Sequence, residues 1–202
     1  MIANHIHDAL RQVRQLQEFI LEKRLFKGYS GKARIICGTV ALAGAAVLAS
    51  DAVPNEPTAH LVGWGVVLFI GVVLNYACLL YWFLFNPEVR RNPVMLKPAL
   101  DAIPGLGVGA VFTLVFVLGE QFDMLFGMWM CLYGLAQVAY RQSLPQAMYL
   151  VGVGYVLCGA LCLLAGPVSF TNPWPMGIVF FAGELTSGAI LMTHKTSAGE
   201  QP

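Results

Sequence analysis

Charge is scarce in this chain. Only 11% of its 202 residues are Asp, Glu, Lys or Arg, against 57% hydrophobic residues, and a soluble domain carries about twice that charged fraction. A net charge of +1 excludes a nucleic-acid binder that works by neutralising phosphates. The five cysteines (Cys37, Cys78, Cys131, Cys158 and Cys162) form no C-x-x-C pair, which argues against a disulfide framework or a thiol oxidoreductase. Cys158 and Cys162 share a helix face at i,i+4 and read as small apolar packing groups. Enzyme signatures are missing as well: there is no H-E-x-x-H, no G-x-S-x-G and no P-loop. His5, His7, His60 and His194 all lie outside the apolar runs, so no pair can hold a haem within a bilayer. No cofactor and no metal site is expected.

Long apolar runs take up most of the chain. They cover residues 35–50, 61–85, 102–118, 124–140, 147–168 and 173–192, lengths suited to a hydrocarbon core of roughly 30 Å. All twelve Lys and Arg residues fall in alternate connections: Arg11, Arg14, Lys23, Arg24, Lys27, Lys32 and Arg34 before the first run, Arg90, Arg91 and Lys97 after the second, Arg141 after the fourth, and Lys195 after the sixth. The other connections carry only Asp51, Glu56, Glu120 and Asp123. This is the positive-inside pattern. It predicts an all-α protein, a bundle of six transmembrane helices in the cell (inner) membrane, with both termini cytoplasmic. The expected division is a cytoplasmic helix and linker (1–34), a transmembrane domain (35–192) and a cytoplasmic tail (193–202). The charged opening stretch and the late first run predict no cleaved leader.

Residues 3–27 have the period of an amphipathic helix, with Ile6, Ala9, Val13, Leu16 and Ile20 on one face and Arg11, Arg14, Gln15, Glu18 and Glu22 on the other. Such a helix lies on the membrane surface or against the bundle; the alternative is an oligomerisation helix that binds a partner or a second copy. Lys23, Arg24, Lys27, Lys32 and Arg34 suit anionic headgroups. Trp64, Tyr81, Trp82, Tyr140, Tyr149 and Trp174 stand near run ends, as interfacial aromatics do. Pro87, Pro93 and Pro98 make residues 86–98 a cytoplasmic loop without a helix. Asn172-Pro173-Trp174-Pro175 is a rigid lead-in to the last run. Met124, Met128, Met130 and Trp129 read as packing, and Gly105-Leu106-Gly107-Val108-Gly109, with no strand before it, as helix-contact glycine.

The six runs make three helical hairpins, and the stretches opening at His60, Asp123 and Asn172 can be written over one another without gaps. Gly71, Gly134 and Gly183 then share a column, behind Phe69, Leu132 and Phe181; Gly38, Gly109 and Gly154 hold a matching early place in the odd runs. The pattern predicts a parallel threefold repeat, with these six glycines at close helix contacts. The hairpin rhythm and the short glycine-rich runs across residues 35–192 resemble the HdeD family of small acid-resistance membrane proteins. The resemblance implies a stress-linked inner-membrane protein and carries no catalytic motif.

One acid stands in the middle of a run: Glu184, about ten residues from either end. A carboxylate at that depth must be protonated, paired or wet. No Lys or Arg falls at the same depth in the runs as drawn, so its expected partners are neutral: Asn75, Gln137, Thr186, Ser187, Tyr133 and Tyr155. On the outer side Asp51, Glu56, His60, Glu120 and Asp123 read as solvated loop groups, since one His does not make a metal site. Two functional readings stand side by side. In one, the chain is a structural, accessory or stress-related membrane protein without enzymatic activity, whose partners are the bilayer and a protein docked on residues 3–27. In the other, it is a small proton-linked transporter or channel with its site at Glu184, Asn75, Gln137, Thr186 and Tyr133. A cavity reaching Glu184 favours the second reading, and a dry, closed bundle the first.

Overall fold

The computed structural model describes residues 10–14, 16, 30–85, 103–139, 144–165 and 168–199, with side chains through Thr193. Those residues are helical throughout, apart from short connections. Six helices follow in order: α1 (Gly31–Leu48), α2 (Pro57–Phe85), α3 (Ile103–Leu118), α4 (Met124–Ala139), α5 (Gln146–Leu164) and α6 (Trp174–Gly199). Four are long and apolar enough to cross a membrane: α1, α2, α5 and the Trp174–Thr193 part of α6. α3 and α4 are apolar but 16 residues long.

Residues 10–14 and 16 are helical and exposed; the rest of the expected amphipathic helix, the 86–98 loop and Arg141 lie outside the described residues. Helix α6 runs on to Gly199, so most of the segment expected to be a tail is helical.

Two tight antiparallel pairs form the centre, α1 with α6 and α4 with α5. The sequence pattern explains both. In α1 the buried positions Gly31, Arg34, Gly38, Ala41, Ala45 and Leu48 recur at alternating steps of three and four, the seam spacing of a left-handed helix pair. Gly127, Met130, Gly134 and Gln137 repeat that step in α4, and Met148, Gly152, Tyr155 and Gly159 in α5. Small residues on these seams let the backbones approach closely. A Cβ built on Gly134 would stand 2.5 Å from the Gly152 carbonyl oxygen, and one on Gly159 2.6 Å from that of Gly127. Across the other pair, a Cβ on Gly31 would stand 2.6 Å from the Gly188 carbonyl oxygen, and one on Gly38 2.8 Å from Glu184 Cβ. In lipid, such close packing replaces the hydrophobic drive that water would supply.

The two pairs meet where the Tyr155 ring fills the space left by the missing side chain of Gly183. Helix α2 lies against α1, with Val67 over Gly44 and Leu48 over Gly63. Its Val62, Val66, Phe69 and Val73 are exposed at steps of four and three, a stripe suited to lipid. Helix α3 leans on α4: the Trp129 indole covers Gly109 and donates to Thr113 Oγ1 at 3.0 Å.

Just before α4, Asp123 Oδ1 accepts from the Phe170 amide at 2.7 Å, and the rings of Phe122 and Phe126 both pack on that of Phe170. His60, expected outside the apolar run, is the fourth residue of α2 and only 1% exposed. The helix begins at Pro57 because proline at a helix start costs no hydrogen bond.

Candidate functional site

Glu184 sits halfway along the apolar Trp174–Thr193 part of α6 and is 3% exposed. Its Oε1 is reached by three donors from three other helices. Tyr133 of α4 donates from its hydroxyl at 2.6 Å, Tyr155 of α5 at 3.4 Å, and Arg34 of α1 from Nη1 at 3.4 Å. The sequence reading gave Glu184 only neutral partners; the structure corrects this. Helix α1 begins at Gly31, capped by Ser30 Oγ accepting from the Ala33 amide, so Arg34 belongs to the helix and not to a headgroup-facing linker. It occupies a seam position between Gly31 and Gly38. Because Gly31 meets Gly188 and Gly38 meets Phe181 and Glu184, the guanidinium lies level with the carboxylate. Arg34 is 8% exposed.

The ion pair has a physical necessity. A lone carboxylate in hydrocarbon costs several kcal/mol, and a guanidinium a similar amount. Joined, the two cancel in charge, and the tyrosine hydroxyls supply further donors. The rings of Tyr133, Tyr155 and Phe180 stand around the carboxylate with centroids 5.0–5.2 Å apart. Tyr155 also donates to the Phe180 carbonyl at 3.3 Å.

A cavity of about 380 Å³ reaches this pair. Its walls come mainly from α1, α2, α3, α4 and α6 and are largely apolar, with polar groups at Ser30, Arg34, Glu184, Tyr133, Asn75, Tyr76 and Gln137 and, on α2 and α3, at Trp64 and Thr113. Gln137 is 3% exposed, and neither its Oε1 nor its Nε2 has a hydrogen-bond partner among the described residues; Glu184 Oε2 is unpartnered in the same sense. Burying such groups without partners costs about 1–3 kcal/mol each. Polar atoms without protein partners beside a largely apolar cavity are a feature that small-molecule sites share.

The other candidates divide. Asn75 lines the same cavity, but donates to the Gly71 carbonyl at 2.9 Å and to Cys37 Sγ at 3.2 Å, not to Glu184. Thr186 is exposed and bonds back to the Ala182 carbonyl of its own helix. Ser187 is fully buried, with its hydroxyl unpartnered among the described residues. Of the six glycines, Gly38, Gly109, Gly134 and Gly183 lie at close contacts; Gly71 and Gly154 face open space.

No protein-family model, curated protein or solved structure matches this chain.

Proposed function

We propose that the chain is a six-span integral protein of the cell membrane and acts as a small proton-linked transporter, with Arg34, Glu184, Tyr133 and Gln137 as its site. The observation that carries this reading is the cavity that reaches a buried, mid-span ion pair. The cavity beside the guanidinium and the carboxylate is what favours this reading over a structural or accessory one.

In this reading α3 and α4 are the two short spans, and the charge asymmetry puts both termini in the cytoplasm. The threefold repeat is part of the proposal, and two of its three expected helix pairs support it while the third, α3 with α2, is not packed among the described residues. If each odd helix packs on the even helix before it, cyclically, the expected pairs are α1 with α6, α3 with α2 and α5 with α4. Two of the three are the tight pairs of the structure.

The chemistry follows from charge balance. With Glu184 ionised, the pair is neutral and Arg34 is engaged. A proton on Glu184 takes the carboxylate's charge out of that pair, so occupancy by a proton and occupancy by an anionic group beside it are coupled. The test is reconstitution in liposomes under an imposed pH gradient, with a panel of small organic anions supplied on one side and internal pH read by a dye. Glu184→Gln keeps an oxygen for the three donors and cannot take the proton. The reading expects pH-driven flux in the wild type and its loss in the variant at equal protein incorporation. Flux equal to that of empty liposomes would overturn the reading and return the chain to the accessory class.

A further inference from the structure

At one end the cavity is lined by Leu61 and Trp64 of α2, Leu125 and Phe126 of α4, Phe170 from the connection before α6, and Met176 of α6. Helices α2, α4 and α6 all begin at this end, which the charge asymmetry turns outward. Leu125, Phe126 and Phe170 are buried, and Leu61, Trp64 and Met176 pack against them. The Trp64 ring meets Phe126 edge to face at 5.7 Å, and Phe126 packs on Phe170 at 4.9 Å. Tyr133 comes seven residues after Phe126 on α4, and Glu184 eight after Met176 on α6, a rise of about 10–12 Å along each helix. A layer of apolar side chains therefore stands between the ion pair and this end of the bundle.

The two sides of that layer are built differently. The Phe170 side is fastened: Asp123 Oδ1 holds its amide at 2.7 Å, and its ring packs on both Phe122 and Phe126. The α2 side carries two stranded polar atoms. His60 and Trp64 stand one turn apart on one face of α2, and His60 Nδ1 and Trp64 Nε1 are buried without a hydrogen-bond partner. Buried polar atoms in a permanent core are almost always paired. Two orphans side by side, on the helix that closes an apolar layer, need a reason.

We propose that this layer is the outer gate of the cavity, and that it opens when Leu61 and Trp64 of α2 part from the fixed face of Phe126 and Phe170. The inference rests on the transport reading above and says how Glu184 is reached from the outer side. Two opposed terms set the balance. Closing the layer removes the apolar surface of Leu61, Trp64 and Phe170 from water, which favours the shut form. It also strands His60 Nδ1 and Trp64 Nε1, and opening returns both to water, which favours the open form. An apolar constriction blocks ions and water for as long as it stays dry. With part of the gain from closing offset by the orphans, a modest shift of α2 is enough to wet it.

The test uses the full chain carrying Gly71→Cys in intact cells. Gly71 lines the cavity two turns below Trp64, and an added Cβ meets nothing within 4 Å there. A charged methanethiosulfonate that cannot cross the membrane is added outside, and mass spectrometry reads the rate of modification at position 71. Slow modification is expected with the gate residues intact. Phe170→Ala removes the plug and speeds it at least about tenfold. Asp123→Ala keeps every ring, frees the fixed face and speeds it as well, so the outcome does not depend on one variant folding. His60→Leu has nearly the same volume and strands no nitrogen. It is expected to slow modification about tenfold and to raise the melting temperature by about 2–4 °C. A merely structural His60 would lower the melting temperature instead. Gly154→Cys, equally open but not lining the cavity, ignores all three changes. One rate in every variant would overturn the gate, and so would a response seen only when the reagent is inside inverted vesicles. If Glu184-dependent proton flux persists alongside either result, transport stands and the gate falls. Modification that follows the variants without any flux overturns transport and keeps the gate.

Discussion

The Tyr133 hydroxyl lies 2.6 Å from Glu184 Oε1, joining α4 to α6 across 51 residues of sequence. The Tyr155 hydroxyl reaches the same oxygen at 3.4 Å. A hydrogen bond to a charged acceptor contributes about 1.5–3 kcal/mol, and the shorter of two such bonds carries more of it. Tyr133→Phe is expected to lower stability by about 2 kcal/mol, and Tyr155→Phe by less, in reversible unfolding from detergent micelles. Equal costs for both would contradict the assignment of the short bond.

Arg34 and Glu184 depend on each other. Removing one member of a buried pair strands the other charge, at a cost of about 3–5 kcal/mol. Arg34→Met is therefore expected to be strongly destabilised in thermal unfolding. Combining it with Glu184→Met removes both charges and should recover most of the loss, since apolar replacement of a whole buried pair is near neutral. A double variant as unstable as the sum of the singles would mean that the two charges do not interact.

Glycines separate by what stands opposite. At Gly134 an added Cβ would meet the Gly152 backbone carbonyl at 2.5 Å, and a backbone cannot swing aside as a side-chain tip can. Gly134→Ala is expected to part α4 from α5 and cost about 1–3 kcal/mol. Gly71 and Gly154 meet nothing within 4 Å; alanine there should be neutral, or stabilising by up to about 1 kcal/mol through helix propensity. Melting temperatures of the three variants in one detergent decide the point.

Glu120 is the described non-glycine residue with a left-handed backbone, φ 55°. It stands just past the end of α3, where the Gln121 amide bonds to the Phe116 carbonyl and the Glu120 amide to that of Val117. This pair of bonds favours glycine at the position Glu120 occupies. Glu120→Gly should leave the fold intact and raise stability by up to about 1 kcal/mol, measured by the same unfolding assay; a marked loss would show that the side chain is needed in the turn.

The sequence exposed its helices through uninterrupted apolar runs, and exposed Glu184 because a charge inside such a run is conspicuous. Tyr133 was legible as a polar group at matching depth. Arg34 was missed by one residue of helix boundary: with the first run begun at Ile35, the arginine fell among the headgroup-facing cations of the linker. A signal was present, since Arg34 keeps the three-and-four step of Gly31, Gly38, Ala41 and Ala45. That step marks the face turned towards protein, and a cation on it must find an anion. Thr186 was misplaced for the converse reason. Two residues from Glu184 on a helix is a different face, and it points outward. The openness of Gly71 was not legible, because glycine reads alike whether a neighbour fills the space beside it or not.

The Tyr155 ring in the notch of Gly183 acts as a key in a slot. A helix that shifts by one residue along its axis must also turn by about 100° to restore its packing, and here that screw would bring Ala182 or Glu184 into the notch, where even a single Cβ meets the tyrosine ring. Helix α6 is thereby barred from screwing through the bundle, and the carboxylate keeps its depth. If the protein exposes its site first to one side and then to the other, the charge is the fixed point, and α2 and α3, the two loosely held walls, are the parts that travel.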